Sequence, residues 1–237
     1  DVAIEYWNKA IKINPNYFEA YNGRGNAFIK LQKFDEAIID FNQAIKINPN
    51  YFEAYHNLGS ALIKLEKFDE AIINFDQVIK IKSNYAQAYH GKAYALMKSL
   101  KFDEAIINFD QALKIKSNYA HAYHGKAYAL MKSLKFDEAI INFNQALKIN
   151  PNYASAHNNM GSAFYGLGQW EEANNCYTKA LEINPNHKDA HENLINLLTF
   201  YNPKKNNSNS IIKTNYLLKS NKFNFDLKNK ITDEEII

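Results

Sequence analysis

The chain has 237 residues, 46% of them hydrophobic and 22% charged, the composition of an ordinary folded domain. No run of 18 apolar residues exists, so no helical membrane span is expected. The single cysteine, Cys176, excludes an internal disulfide and any cysteine cluster around a metal. The net charge of +3 sits wholly in residues 201–237, which hold seven Lys and four acids. The rest of the chain keeps 21 basic and 21 acidic residues, without the basic excess by which proteins grip phosphate backbones. The sequence opens on Asp1-Val2-Ala3-Ile4, with neither Met nor a charged-then-apolar leader. We expect a piece of a longer, cytoplasmic protein.

In chain order, residues 1–17 read as one helix, with Ala3, Trp7 and Ala10 at helical spacing and Pro15 after it. The pair Asn-Pro then recurs at 14–15, 48–49, 150–151 and 184–185, and Lys-Ser at 82–83 and 116–117 fills the two missing beats of a 34-residue period. Units are expected at 18–51, 52–85, 86–119, 120–153 and 154–187. Residues 82–115 and 116–149 differ only at Gln87/His121 and Asp110/Asn144, a recent duplication.

Each unit carries two helical patterns. In the second unit, Tyr55, Leu58, Leu62 and Leu65 recur at steps of three and four. Glu66-Lys67 interrupts the pattern, and Asp69-Glu70 opens a second helix with acids in the first turn, where the helix dipole favours them. Ala71, Phe75 and Val78 continue the apolar face up to Lys80-Ile81-Lys82. Small residues share one place on the first helix (Gly25, Gly59, Ala93, Ala127, Gly161) and one on the second (Ala37, Ala71, Ala105, Ala139, Ala173), so the two helices can approach closely. Tyr21, Tyr55, Tyr89, Tyr123 and Phe41, Phe75, Phe109, Phe143 fill the spaces beside them. One helix pair cannot bury both apolar sides alone, whereas a stack of pairs can.

Residues 188–200 read as a capping helix. Leu194, Leu197 and Leu198 would face the last unit, and Asp189, Glu192, Asn193 and Asn196 the outside. The segment 201–237 changes character. It begins with an Asn/Lys/Ser-rich linker, continues with Ile211, Tyr216, Phe223 and other apolar residues among Lys and Asn, and ends on a capping-box pattern at Thr232–Glu235. It is expected to be a linker and tail leading toward a downstream region.

The pattern resembles the tetratricopeptide repeat family. The unit at 52–85 supplies Tyr55, Leu58-Gly59, Leu62, Ala71, Phe75 and Val78, with Ser83 where the family has Pro. The unit at 154–187 supplies His157, Met160-Gly161, Phe164, Ala173, Tyr177, Ala180 and Pro185. The resemblance covers roughly residues 1–200 and implies an all-α, right-handed superhelical solenoid of antiparallel helix-turn-helix repeats.

It also implies a concave groove lined by first helices, whose positions carry over as three rows. The first row holds Asn22, His56, His90, His124 and Asn158. The second holds Asn26, Ser60, Tyr94, Tyr128 and Ser162. The third holds Lys30, Lys64, Lys98 and Lys132, then Gly166. Such a surface suits a protein or peptide partner: Asn, His, Tyr and Ser hydrogen-bond to backbone, and the lysines either attract the carboxylates of an acidic partner or, near the helix ends, are simply solvated. Asn57, Asn159 and Asn193 share a position that relatives in sugar transferases use to hold peptide backbone. The clamp that some relatives close on acidic chaperone tails finds matching Asn at 22, 26 and 57, but His56, His90 and Gly91 stand where it needs basic groups.

His90, His121 and His124 could approach one another, and are expected to line a peptide groove rather than to hold a metal. Cys176, with no local base to activate it, is expected to be a small packed or surface residue. No phosphate loop, nucleophile elbow or two-histidine zinc motif occurs, and the recurrent Asp-Glu pairs mark helix starts. The sequence therefore points to an adaptor without cofactor, metal or catalytic residues, and without nucleic-acid or membrane partners. Two alternatives stand beside it: the recruiting arm of a larger enzyme, and an RNA-binding helical repeat, against which the neutral charge argues.

Overall fold

A computed structural model describes residues 2–199, and the tail expected at 201–237 lies outside the described residues. Twelve α-helices and no strand occur among them. They are α1 (Val2–Ile13), α2 (Phe18–Lys30), α3 (Phe34–Ile47), α4 (Phe52–Lys64), α5 (Phe68–Ile81), α6 (Ala86–Lys98), α7 (Phe102–Ile115), α8 (Ala120–Lys132), α9 (Phe136–Ile149), α10 (Ala154–Gly166), α11 (Trp170–Ile183) and α12 (Lys188–Leu198). The protein is thus an all-α repeat. The chain forms two compact units, residues 1–117 and residues 118 onward.

Two different stops separate the helices. After each first helix the chain closes a Schellman turn. In the first of them, Gln32 N–H donates to Ile29 C=O (3.0 Å) and Lys33 N–H to Phe28 C=O (2.9 Å). Such a turn needs one left-handed residue, and Gln32, Glu66, Leu100, Leu134 and Gly168 occupy that place with φ between 58° and 72°. After α1, α3, α9 and α11, an Asn side chain accepts a hydrogen bond from the backbone N–H two residues on, as Asn48 does from Asn50 (3.1 Å). The intervening Pro, which has no N–H to offer the helix, completes the stop.

In the first unit, each first helix packs on the second helix that follows it and on the one before it. The first helices α2, α4 and α6 also touch in succession, which makes theirs the closer-set layer. The core runs between the layers: Ala37, Phe41, Leu58, Ala61, Leu62, Ala71, Phe75 and Val78 are buried in one cluster. The approach of α2 to α3 depends on Gly25, because a Cβ there would stand 2.6 Å from the Phe41 ring.

In the second unit, α10 packs on α9 and α11 and touches α8 and α12. Helix α12 brings Leu194, Ile195 and Leu197 onto Ala173, Tyr177, Ala180 and Leu181, with Leu198 packed beside them. Asp189, Glu192 and Asn196 are exposed as expected, but Asn193 is not on the outer side. It is half-buried and donates to Asn158 Oδ1 (3.0 Å) and Ser162 Oγ (3.4 Å). No described helix is long and apolar enough to cross a membrane.

Candidate functional site

The three rows proposed from the sequence lie on the first helices, and burial separates them. In the first row, Asn22 and Asn158 are buried and His56, His90 and His124 are half-buried. In the second row, Asn26, Tyr94, Tyr128 and Ser162 are half-buried and Ser60 is exposed. In the third row, Lys30, Lys64, Lys98 and Lys132 are all exposed.

The gradient follows from helix geometry. Residues four apart lie on one face, each rotated by about 40° from the last, so a row that begins against the next helix ends in solvent. Lys98 Nζ lies 5.6 Å from the Tyr94 ring centroid and Lys132 Nζ 5.3 Å from that of Tyr128, so each half-buried tyrosine carries an exposed cation over its ring. Ser60 and Ser162 donate to carbonyls one turn back, at His56 (2.9 Å) and Asn158 (3.3 Å).

Much of the first row's polar chemistry is spent between repeats. Asn57 donates to Asn22 Oδ1 (2.9 Å), Asn159 to His124 Nε2 (3.0 Å) and Asn193 to Asn158 Oδ1 (3.0 Å). Each bond spans 35 residues, one more than the repeat. The position that in relatives holds peptide backbone thus holds the preceding repeat here. The sequence carries a signal for this, a polar residue followed by Asn 35 positions on. Reading the rows at 34 residues hides it.

Gly91 takes that place after His56 and offers no amide, and the His56 Nδ1, the atom that in His124 faces Tyr153, is buried without a hydrogen-bond partner. A side chain cannot be restored at 91, because a Cβ would meet the Phe75 ring at 2.5 Å. His56 instead packs edge-on to Phe75 and Tyr85, and burial lowers its pKa.

In the second unit, Tyr153 Oη sits 3.0 Å from His121 Nδ1 and 3.3 Å from His124 Nδ1. Because His124 Nε2 accepts from Asn159, the neutral ring carries its proton on Nδ1, which faces the Tyr153 hydroxyl, and the ring also hydrogen-bonds the Ser155 backbone. Burial, and secondarily His121, lower the pKa of His124 to about 4. The two histidines therefore share a phenol. No group of His, Cys, Asp and Glu among the described residues could hold a metal ion. Cys176 is buried, and burial, with Glu172 adding, pushes its thiol up to about 12.

Arg24 stands where the family pattern has Leu, and its partner is not legible in the sequence alone. It closes a two-pronged ion pair on buried Asp40 (2.8 and 2.6 Å) and donates to Asn8 Oδ1 (2.6 Å), tying α1, α2 and α3 together.

Helical pairs of this length, stacked at a 34-residue period with small residues facing aromatics, lead to one comparison that decides the family. A model described as TPR repeat matches residues 1–32, 25–65 and 135–168, and models described as tetratricopeptide repeat match 52–85, 86–119 and 154–187. The chain belongs to the tetratricopeptide repeat family.

Solved structures agree in fold. YrrB, described as a TPR protein with an unusual peptide-binding site, is 22% identical, with a TM-score of 0.65 over 80% of this chain and 98% of its own. MamA is 25% identical, with a TM-score of 0.63 over 70% and 91%. The pilF protein of Pseudomonas aeruginosa is 14% identical, with a TM-score of 0.69 over 86% and 93%. Comparison with the curated proteins gave no match. Tetratricopeptide repeat proteins bind protein or peptide partners and are in general non-catalytic, so the fold is that of an interaction scaffold.

Proposed function

We propose that this tetratricopeptide repeat chain is an adaptor that binds an acidic peptide segment along its first helices. The observation that carries the reading is the lysine row. Lys30, Lys64 and Lys98 recur at the exposed end of α2, α4 and α6 in the closer-set layer of the first unit. Beside them stand Asn26, Ser60 and Tyr94, which are open enough to offer an amide, a hydroxyl and an aromatic edge. A segment lying across the three helices would set carboxylates on the lysines and an apolar or aromatic side chain against Tyr94. Tyr128, Lys132 and Ser162 repeat the chemistry in the second unit. Asn22, Asn57, His124 and Asn158 contribute by holding the helices in register rather than by touching the peptide.

Fluorescence anisotropy with the full chain and a set of labelled peptides, acidic and charge-neutralised, tests the reading. Lys30→Ala, Lys64→Ala and Lys98→Ala together should weaken the acidic peptides at least about tenfold at low salt, and the neutral ones little. Equal affinity for both peptide classes, or no effect of the triple substitution, would overturn the acidic-peptide reading.

A further inference from the structure

The opposite layer of the first unit carries an apolar row that its core does not use. Ile39, Ile73 and Ile107 stand at one position on α3, α5 and α7 and are 67, 61 and 59% exposed. One turn toward each helix start lie exposed acids, Asp35-Glu36, Asp69-Glu70 and Asp103-Glu104. About two turns toward each helix end lie exposed Lys46, Lys80 and Lys114. Steps of three, four and seven residues keep all of them on one helix face. The face is therefore banded across three helices: acidic, apolar, then basic.

Some of these charges are also engaged within the chain: Asp69 of the acidic band reaches Lys101 (3.6 Å), and Asp76 on the same helix is paired with Lys92 (2.6 Å). Helix α9 of the second unit repeats the band, with Asp137-Glu138, Ile141 (60% exposed) and Lys148. The band then stops. Helix α11 places Asn175 where the isoleucine stood and Glu182 where the lysine stood, and α1 places Glu5 at the isoleucine position. These helices show that a polar residue is compatible with the fold at the isoleucine position, so folding does not require Ile39, Ile73 or Ile107.

We propose that this face docks a second copy of the chain. The argument is charge complementarity under twofold symmetry. Turning one copy about an axis in the interface and parallel to the isoleucine row reverses the order of the outer bands. The acidic band of each copy then meets the basic band of the other, and the two isoleucine rows interdigitate between them. An axis across the row would set acid on acid and is disfavoured. Three isoleucines cover less than a permanent dimer requires, so the association is weak and reversible. The first-helix lysines take no part, and this inference stands apart from the peptide-binding reading.

Sedimentation equilibrium of the full chain, at low and high salt, tests it. The wild type should show concentration-dependent dimers that weaken with salt. Ile39→Asn, Ile73→Asn and Ile107→Asn together, borrowing the residue α11 uses, should weaken the dimer at least about tenfold. Lys46→Glu, Lys80→Glu and Lys114→Glu together, borrowing the residue at 182, should abolish it, since both bands are then acidic. Mixing that variant with one carrying Glu36→Lys, Glu70→Lys and Glu104→Lys should restore mixed dimers, and circular dichroism should show helicity kept throughout. A wild type that stays monomeric at every concentration, or either triple variant dimerising as the wild type does, would overturn the proposal.

Discussion

His124 accepts a hydrogen bond from the Asn159 amide at 3.0 Å, and that bond exists only while the imidazole is neutral. Burial enforces the same state, with a pKa near 4 against 6.5 for a free imidazole. In the unfolded chain the ring takes a proton as pH falls through 6.5, whereas in the folded chain it resists until about 4. Stability should therefore fall as pH drops from 6.5 to 4 and level off below, by about 3 kcal/mol in all from this group. His124→Asn, which copies the Asn158–Asn193 pair, should flatten this dependence. Urea midpoints between pH 4 and 7 measure it; an unchanged slope in the variant would assign the acid sensitivity to other histidines.

The Asn22–Asn57 bond should be worth measuring as a pair. Asn22 is buried, accepts from Asn57 and donates to Tyr51 Oη at 3.2 Å. Asn22→Ala and Asn57→Ala should each cost about 1–2 kcal/mol, and the double variant less than their sum by about 1 kcal/mol. Additive losses in denaturant titrations would mean the two amides do not depend on one another.

Arg24 and Asp40 make a sharper case. The Asp40 side chain is 4% exposed and Arg24 supplies two of its hydrogen bonds. Arg24→Leu alone strands that carboxylate and should cost about 3 kcal/mol. The unit at 52–85 holds Leu58 and Asn74 at the same two places. The double change Arg24→Leu, Asp40→Asn should therefore recover most of the loss. Thermal unfolding of the three variants decides it; a double variant as unstable as Arg24→Leu would refute the compensation.

Leu100 and Leu134 hold left-handed backbone, each at φ 61°, and both residues are 74% exposed. Neither is repaid by packing, and Gly168 fills the same turn position in the last unit. Leu100→Gly and Leu134→Gly should each raise stability by up to about 1 kcal/mol, because a left-handed conformation penalises any Cβ. A fall in melting temperature would show that the leucine side chains matter.

The Cys176 thiol should be inert in the folded chain. It is 7% exposed and its pKa lies near 12, so little thiolate is available at neutral pH. Its reaction with a disulfide reagent at pH 8 should proceed only as fast as α11 opens, and at the normal rate in denaturant. Prompt labelling of the native protein would contradict this burial.

What the sequence determined by itself was the periodic part. A 34-residue beat, acids at helix starts, and small residues facing aromatics specify helix pairs that must stack, because each signal acts within one helix or between sequence neighbours. The lysine row was legible for the same reason: a residue at the free end of a helix face needs no partner to be exposed.

The first row was not legible in this way. Periodicity shows that Asn22, His56, His124 and Asn158 share a face, but not whether that face meets solvent or the next helix. That choice is set by how closely and at what rotation neighbouring helices pack, which the contacts of Gly25 with Phe41 and Gly91 with Phe75 fix. The same rotation turned Asn193 inward onto Asn158 and left Ile39, Ile73 and Ile107 outward, so that polar groups were buried and apolar ones exposed against the simple expectation.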